Sequence, residues 1–127
     1  MPRSPQEFYK KMAVNMHNKE LGALGEKKAQ SYLKRLGWKI LETNYKTRFG
    51  EVDIIAQKKD VIAFVEVKTR LTDEYGTPSQ AVNYERQRRY INAARYYFAG
   101  RQINCTVRFD VIEILRDELN HIENAFY

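Results

Sequence analysis

The sequence has few of the residues that disulfide and soft-metal chemistry require. Its 127 residues include one cysteine, Cys105, and two histidines, His17 and His121. A lone cysteine excludes an intrachain disulfide, and with so few imidazoles a Cys/His zinc site is not expected. No uninterrupted apolar run approaches the thickness of a bilayer. The opening stretch MPRSPQEFYKKMAVNMHNKE scatters charges where a secretory signal would carry an apolar segment. A cytoplasmic location without membrane contact is therefore expected. Internal repeats, low-complexity tracts and dividing linkers are also missing, and the length suits a single core. The expected organisation is a loose tail over residues 1–17 and one domain over 18–127. Acids are the scarcer charge: 16 Asp and Glu against 22 Lys and Arg leave a net +6, with pI near 9.4. An excess of that sign suits a polyanionic partner.

The patterns that are present divide the chain into helices and strands. Apolar spacing predicts a first helix from Lys19 to Leu36, with Leu21, Leu24, Ala29, Tyr32, Leu33 and Leu36 inward and Gly37 as its stop. WKILET (38–43) reads as a strand and NYKTRFG (44–50) as a polar connection. Two strands follow, Glu51–Gln57 and Val61–Arg70, joined through Lys58, Lys59 and Asp60. Thr77, Pro78 and Gln80 form a helix-start signature. After a bend near Asn83, a second helix runs through YERQRRYINAARYYFAG, with Tyr84, Ile91, Ala94 and Phe98 inward and Gly100 as the stop. INCTVRFDVIEIL is a further strand, DELN a turn and HIENAFY a last edge strand. The order α-β-β-β-α-β-β predicts an α/β protein, more narrowly an α+β mixed sheet with flanking helices.

One stretch conflicts with this pattern of burial. In GEVDIIAQKKDVIAFVEVKTR (50–70), the residues Glu51, Asp53, Glu66 and Lys68 interrupt runs otherwise suited to a sheet interior. Side chains two apart on a strand share a face, so Glu66 and Lys68 point one way and Val65 and Val67 the other. If Lys59 and Asp60 make a two-residue hairpin loop, Asp53 falls opposite Glu66 and Glu51 opposite Lys68. A slip of one residue would move Asp53 to the wrong face. Two carboxylates about 4 Å apart repel by roughly 4 kcal/mol where shielding is partial. A cation must compensate, or one acid must hold a proton. Lys68 supplies one positive charge. A divalent ion would supply more, and oxygen donors favour Mg2+ or Mn2+ over zinc. A charge ladder on an exposed sheet face is the plainer alternative. Glu26, by helical spacing from Gly22, Ala29 and Leu33, lies on or beside the packing side of the first helix. It either joins this group or pairs at the rim with Lys27, Lys28 or Lys34. Gly22 and Gly25 suit a place where another backbone comes close.

Such a group suits phosphodiester hydrolysis, in which a cation carries phosphate charge and activates water. Asp53 and Glu66 would be direct ligands, and the Val67 backbone carbonyl a further oxygen. Lys68 would orient water or stabilise the phosphate. Glu51 and Glu26 would hold a second ion or its water shell. Arg86, Arg88, Arg89, Arg95 and Arg101 crowd the second long helix, interleaved with Tyr84, Tyr90, Tyr96 and Tyr97. Lys46, Arg48 and Arg70 flank the proposed site. Together they offer a surface for phosphates with salt-sensitive, sequence-independent affinity, or else an ordinary solvated helix face. Gln87 is placed to face the site. Asp110, in RFDV, reads as structural, paired with Arg108 or the helix arginines. Cys105, Trp38, His17 and His121 are assigned no chemistry.

Asp53, twelve intervening residues and then Glu66-Val67-Lys68 resemble the PD-(D/E)XK motif of the restriction-endonuclease-like fold, with Val52 where the motif has proline. The segments LGALGEKKAQSYLKRLGWKILETNYKTRFGEVDIIA, FVEVKTR, GTPSQAV, RFDV and HIENAF resemble the YraN-like family of small bacterial proteins, from about Asn18 to Phe126. The resemblance implies a restriction-endonuclease-like core and a nuclease-like metal site. It sets Asp53, Glu66 and Lys68 in the motif positions, with Glu26 and Glu51 supporting. The expected activity is a Mg2+- or Mn2+-dependent endonuclease acting on DNA in preference to RNA, including branched or nicked forms. A homodimer would be the simplest way to cut both strands. The alternative is a nucleic-acid-binding or adaptor module that keeps the scaffold without turnover.

Overall fold

The computed structural model describes residues 18–71 and 84–126. The expected tail, the helix-start signature at Thr77 and the bend near Asn83 lie outside them. Among the described residues, two helices, α1 (Asn18–Arg35) and α2 (Tyr84–Tyr97), accompany five strands. These are β1 (Lys39–Thr47), β2 (Gly50–Lys58), β3 (Val61–Arg70), β4 (Thr106–Leu115) and β5 (Glu118–Ile122). The strands form one sheet in the order β1-β2-β3-β4-β5. β3 and β4 run parallel and every other neighbouring pair is antiparallel, so the sheet is mixed. The α+β class and the element order are those expected. No helix among the described residues is long and apolar enough to cross a membrane.

β3 is the central strand, paired along its length with β4 and over half its length with β2. That position explains its continuous apolar run, because both of its faces are covered. One face carries Ala63 and Val65, which join Ile54, Ile112, Ala29 and Leu33 under α1. The other carries Ile62 and Phe64, which join Ile55, Phe109, Ala94 and Phe98 under α2.

α1 buries a single stripe against the sheet, Gly25, Ala29 and Leu33, at intervals of four residues, and half-buried Tyr32 beside it packs on the same core as expected. A Cβ at residue 25 would fall 1.8 Å from Thr69 Oγ1, so the glycine is what lets α1 approach β3. The expectation of close approach fails at Gly22, where an added Cβ would meet nothing within 4 Å. The stripe is narrower than the apolar side expected from sequence, and Leu24 and Leu36 are therefore exposed. α1 ends as expected at Gly37, whose φ of 94° permits the closing bonds from Gly37 N to Lys34 O (3.0 Å) and Trp38 N to Leu33 O (3.0 Å).

Two further boundaries differ from expectation. β1 runs on through Asn44–Thr47, because the backbone there pairs with β2 up to Thr47 opposite Gly50. The polar side chains that suggested a loop belong to an edge strand whose outer side is exposed. The turn shrinks to Arg48 and Phe49, closed by Thr47 Oγ1, which accepts from Phe49 N and donates to Gly50 O, each at 3.0 Å. At the other edge β5 starts at Glu118, because Arg116 takes a φ of 57° and makes a two-residue turn with Asp117. DELN is therefore largely strand, and HIENAFY leaves the sheet after Ile122. On α2 the buried set is Tyr90, Ala93 and Ala94, with Phe98 just beyond the helix end and Ile91 packed beside them as expected, whereas Tyr84 is exposed and stacks under Arg88.

Candidate nuclease-like site

Lys58 pairs with Val61, so Lys59 and Asp60 form a two-residue loop, and Lys59 adopts the left-handed conformation such a turn needs (φ 55°). The register then advances to Ile54 opposite Val65. One step further it would set Asp53 across from Glu66, but the ladder stops there. Val67 N instead donates to Asp53 Oδ2 at 2.8 Å, so a carboxylate bridges the parted strands.

The gap opens into a pocket of about 320 Å³ lined by Glu51, Asp53, Glu66, Val67, Lys68, Arg86, Arg89 and Tyr90. Three expected catalytic residues, Asp53, Glu66 and Lys68, thus meet with Glu51 and the Val67 backbone. Glu66 is buried, 3% exposed, and its Oε1 accepts from Arg86 Nη1 at 2.8 Å and lies 3.4 Å from Lys68 Nζ. Its Oε2 is buried without a hydrogen-bond partner.

Burial raises the Asp53 carboxyl to about 7; the Val67 N–H opposes that rise, and the nearby charges of Glu26, Glu66 and Glu51 add to it. Burial raises Glu66 too, opposed by Arg86 and then Arg89. At neutral pH Asp53 is therefore partly protonated, and the three acids of the lining face the three cations Lys68, Arg86 and Arg89.

Glu26 sits on α1 outside the pocket lining. Its partner is the Asn44 amide, which donates to Glu26 Oε2 at 3.0 Å and to Glu51 Oε1 at 2.8 Å. Asn44 adopts a left-handed backbone (φ 50°) on β1. Of the three rim lysines weighed for Glu26, Lys28 lies nearest Asp117 instead, at 4.0 Å. Glu26 therefore reaches the group through Asn44 and through its field at Asp53.

The donor set fits a hard divalent ion in part. Asp53 and Glu66 offer carboxylate oxygens, one of them orphaned and buried. Among the described residues, however, no three Asp, Glu, His or Cys side chains converge closely enough to hold a metal. That pattern suits Mg2+, which commonly binds one or two carboxylates and takes its other oxygens from water and substrate phosphate.

The expected arginine surface divides. Arg86 and Arg89 line the pocket, and the stem of Arg89 passes over Gly50. Arg48, stacked on Phe49, is not part of the lining, nor are Arg70 and Arg88. Arg101 stacks on Tyr97 near the C-terminal end of α2. Gln87 also lies outside the lining.

Sequence reasoning misses two participants, Tyr90 and Asn44, and a buried acid outside the lining, Glu113. The sequence presents Tyr90 only as one of several interleaved aromatic residues, and Asn44 within a polar connection. Glu113 is 8% exposed, pairs in register with Lys68, and has Oε1 buried without a partner. The signal for Glu113 was its parity with Val111 in RFDVIEIL, but using it required knowing that β4 lies parallel beside β3. Asp110 is structural, as read. It is fully buried and accepts from Arg108 Nε and Nη2 (2.9 Å each), His121 Nε2 (2.7 Å) and Asn124 N (3.0 Å). His121, left without chemistry, is therefore a structural partner of Asp110.

Residues 25–114 match the model of the uncharacterised protein family UPF0102. The chain is 48% identical over 116 residues to a UPF0102 protein of Alkaliphilus oremlandii, covering 86% of this chain and 99% of that one. It is also 48% identical over 116 residues to a UPF0102 protein of Clostridium acetobutylicum, covering 86% and 95%. A UPF0102 protein of Thermodesulfovibrio yellowstonii is 48% identical over 108 residues, covering 85% and 96%. With matches of that extent on a sheet that unites the motif residues, the chain belongs to the uncharacterised protein family UPF0102, the YraN-like family.

Proposed function

We propose that this protein is a metal-dependent nuclease that hydrolyses phosphodiester bonds in DNA, including branched or nicked forms. The observation that carries this reading is the single pocket in which Asp53, Glu66 and Lys68 face Arg86 and Arg89. Mg2+ or Mn2+, when bound, would supply electrostatic stabilisation of the phosphate and a nucleophilic water near neutral pH. Asp53 and Glu66 would hold the ion, with the Val67 carbonyl as a further oxygen and Glu51 supporting at the rim. Lys68, already within reach of Glu66, orients water or takes up charge developing on the phosphate. Arg86 and Arg89 grip the non-bridging oxygens of the strand. Glu26, through Asn44, keeps Glu51 in place.

The test is cleavage of linear, nicked and branched DNA with Mg2+ or Mn2+ by the wild type, Asp53→Ala and Glu66→Ala. The variants are expected to lose activity by roughly a hundredfold or more. Equal cleavage by all three would trace the activity to a contaminant and remove the proposal.

A second reading is an adaptor that binds nucleic acid without cutting it. It is favoured by the Arg86–Glu66 ion pair, which already occupies one oxygen of the motif acid. It predicts salt-sensitive DNA binding that survives Asp53→Ala and weakens when Arg86, Arg88 and Arg89 are neutralised.

A further inference from the structure

The ladder between β2 and β3 ends at Ile54 opposite Val65, although β2 extends back to Gly50 and β3 on to Arg70. Where the next pair would form, Tyr90 of α2 intervenes. Its hydroxyl accepts from Asp53 N at 3.3 Å and donates to Val65 O at 3.5 Å, so one side-chain oxygen contacts the backbone of both strands. Just beyond, Val67 N is taken by the Asp53 carboxylate at 2.8 Å.

We infer that Tyr90 is a positioning residue: its hydroxyl holds the β2–β3 fork open, so that the Asp53 carboxylate crosses to the β3 backbone and faces Glu66. The consequence for metal binding rests on the nuclease reading, whereas the fork itself rests on geometry alone.

The surroundings of Tyr90 suit this role. The residue is 3% exposed, and its ring packs edge-on against Phe126 with centroids 6.1 Å apart. The hydroxyl lies 3.5 Å from Val65 O and is placed to donate to it. A backbone N–H buried without a partner is costly, so an Asp53 N–H that lost the hydroxyl would open to solvent, and the Asp53 carboxylate would loosen from Val67 N.

Tyr90→Phe separates this role from packing, because the ring and its contact with Phe126 remain. The variant is expected to keep its cooperative unfolding transition. Amide hydrogen exchange at Asp53 and Val67, followed by NMR, should quicken by about tenfold or more. Mn2+ affinity, measured by calorimetric titration, should fall by about tenfold, and kcat on DNA should drop while KM holds. Wild-type protection at Asp53 and Val67 would overturn the inference. So would lost protection with unchanged Mn2+ affinity, since the fork would then not position the acid. If the wild type itself binds no Mn2+, the nuclease reading fails instead, and the exchange rates alone decide whether Tyr90 holds the fork.

Discussion

Two aspartates, Asp110 buried and Asp53 half-buried, occupy the same sheet in opposite surroundings. Asp110, on β4, has both carboxylate oxygens filled by Arg108, His121 and the Asn124 backbone. His121 is itself held by Tyr32, whose hydroxyl lies 3.0 Å from Nδ1. Asp53, on β2, receives one backbone N–H and otherwise faces three acids. Hydrogen bonds from His121, Arg108 and Asn124 outweigh burial and lower the Asp110 carboxyl, whereas burial and like charges push Asp53 up to about 7. One centre is satisfied by the chain itself and the other is not. Burial alone therefore does not set the charge of an acid; whether the protein supplies the counter-charge does.

The largest effect should come from breaking the satisfied centre. Asp110→Ala leaves the Arg108 guanidinium and the His121 imidazole without their acceptor beside Trp38 and Tyr32. Removing one member of a buried ionic group typically costs about 3 kcal/mol or more. Urea unfolding at pH 7 would measure the loss, and a change under about 1 kcal/mol would contradict this account of the centre.

The open centre should respond with the opposite sign. The folded Asp53 carboxyl, at about 7, binds protons more tightly than the unfolded chain, whose ordinary value is 3.8. Between those values the folded state carries the extra proton, so stability falls as pH rises through that window. Asp110 behaves in reverse: its folded value lies below 3.8, so its contribution is present above that pH and is lost as pH falls below it. Asp53→Asn keeps an oxygen for Val67 N and removes the charge. It should therefore stabilise the metal-free protein by on the order of 2 kcal/mol at pH 8, after discounting for solvent screening, and have little effect at pH 4. Thermal unfolding at the two pH values tests this, and destabilisation at pH 8 would count against the open-centre account.

The contrast between the two aspartates was only partly visible in the sequence. The central strand, its apolar run and the acids interrupting it could be read directly, because a period of two assigns faces without any knowledge of neighbours. The Lys59–Asp60 loop set the register, and the grouping of Asp53 with Glu66 and Lys68 followed. What could not be read depends on other elements. Tyr90 enters from a helix whose rotational phase is set by packing, and Glu113 joins Lys68 only because β4 runs parallel to β3 in register. Asn44 was hidden because an edge strand with polar side chains looks locally like a loop. The three partners of Asp110 come from three places along the chain: Arg108 two residues away, His121 on β5 and the Asn124 backbone beyond it.

The open centre also depends on a close approach of α1 to β3. Gly25 lets α1 meet Thr69 of β3, one residue before Glu26. In Gly25→Ala the new methyl would overlap Thr69 Oγ1 and crowd Thr69 Cβ at 2.9 Å, so helix and strand must separate. The gain in helix propensity offsets part of that strain, and the net loss should be about 1 kcal/mol. Increased stability would show that α1 can shift at no cost.

The finest test concerns the reach of Glu26. Its carboxylate lies outside the pocket, yet among like charges it is the largest contributor raising Asp53. Glu26→Gln removes that charge and keeps an amide able to hydrogen-bond with Asn44. The Asp53 midpoint, followed by carbon-detected NMR of the metal-free protein, should move down from about 7 by a fraction of a pH unit. The downward direction follows because less negative charge nearby makes the ionised form easier to reach. Asp110 provides the internal control, since its field comes from Arg108 and His121 and its titration should not move. An unchanged Asp53 midpoint would show that solvent screens Glu26 from the pocket, and would leave Glu66 and Glu51 as the acids that set its charge.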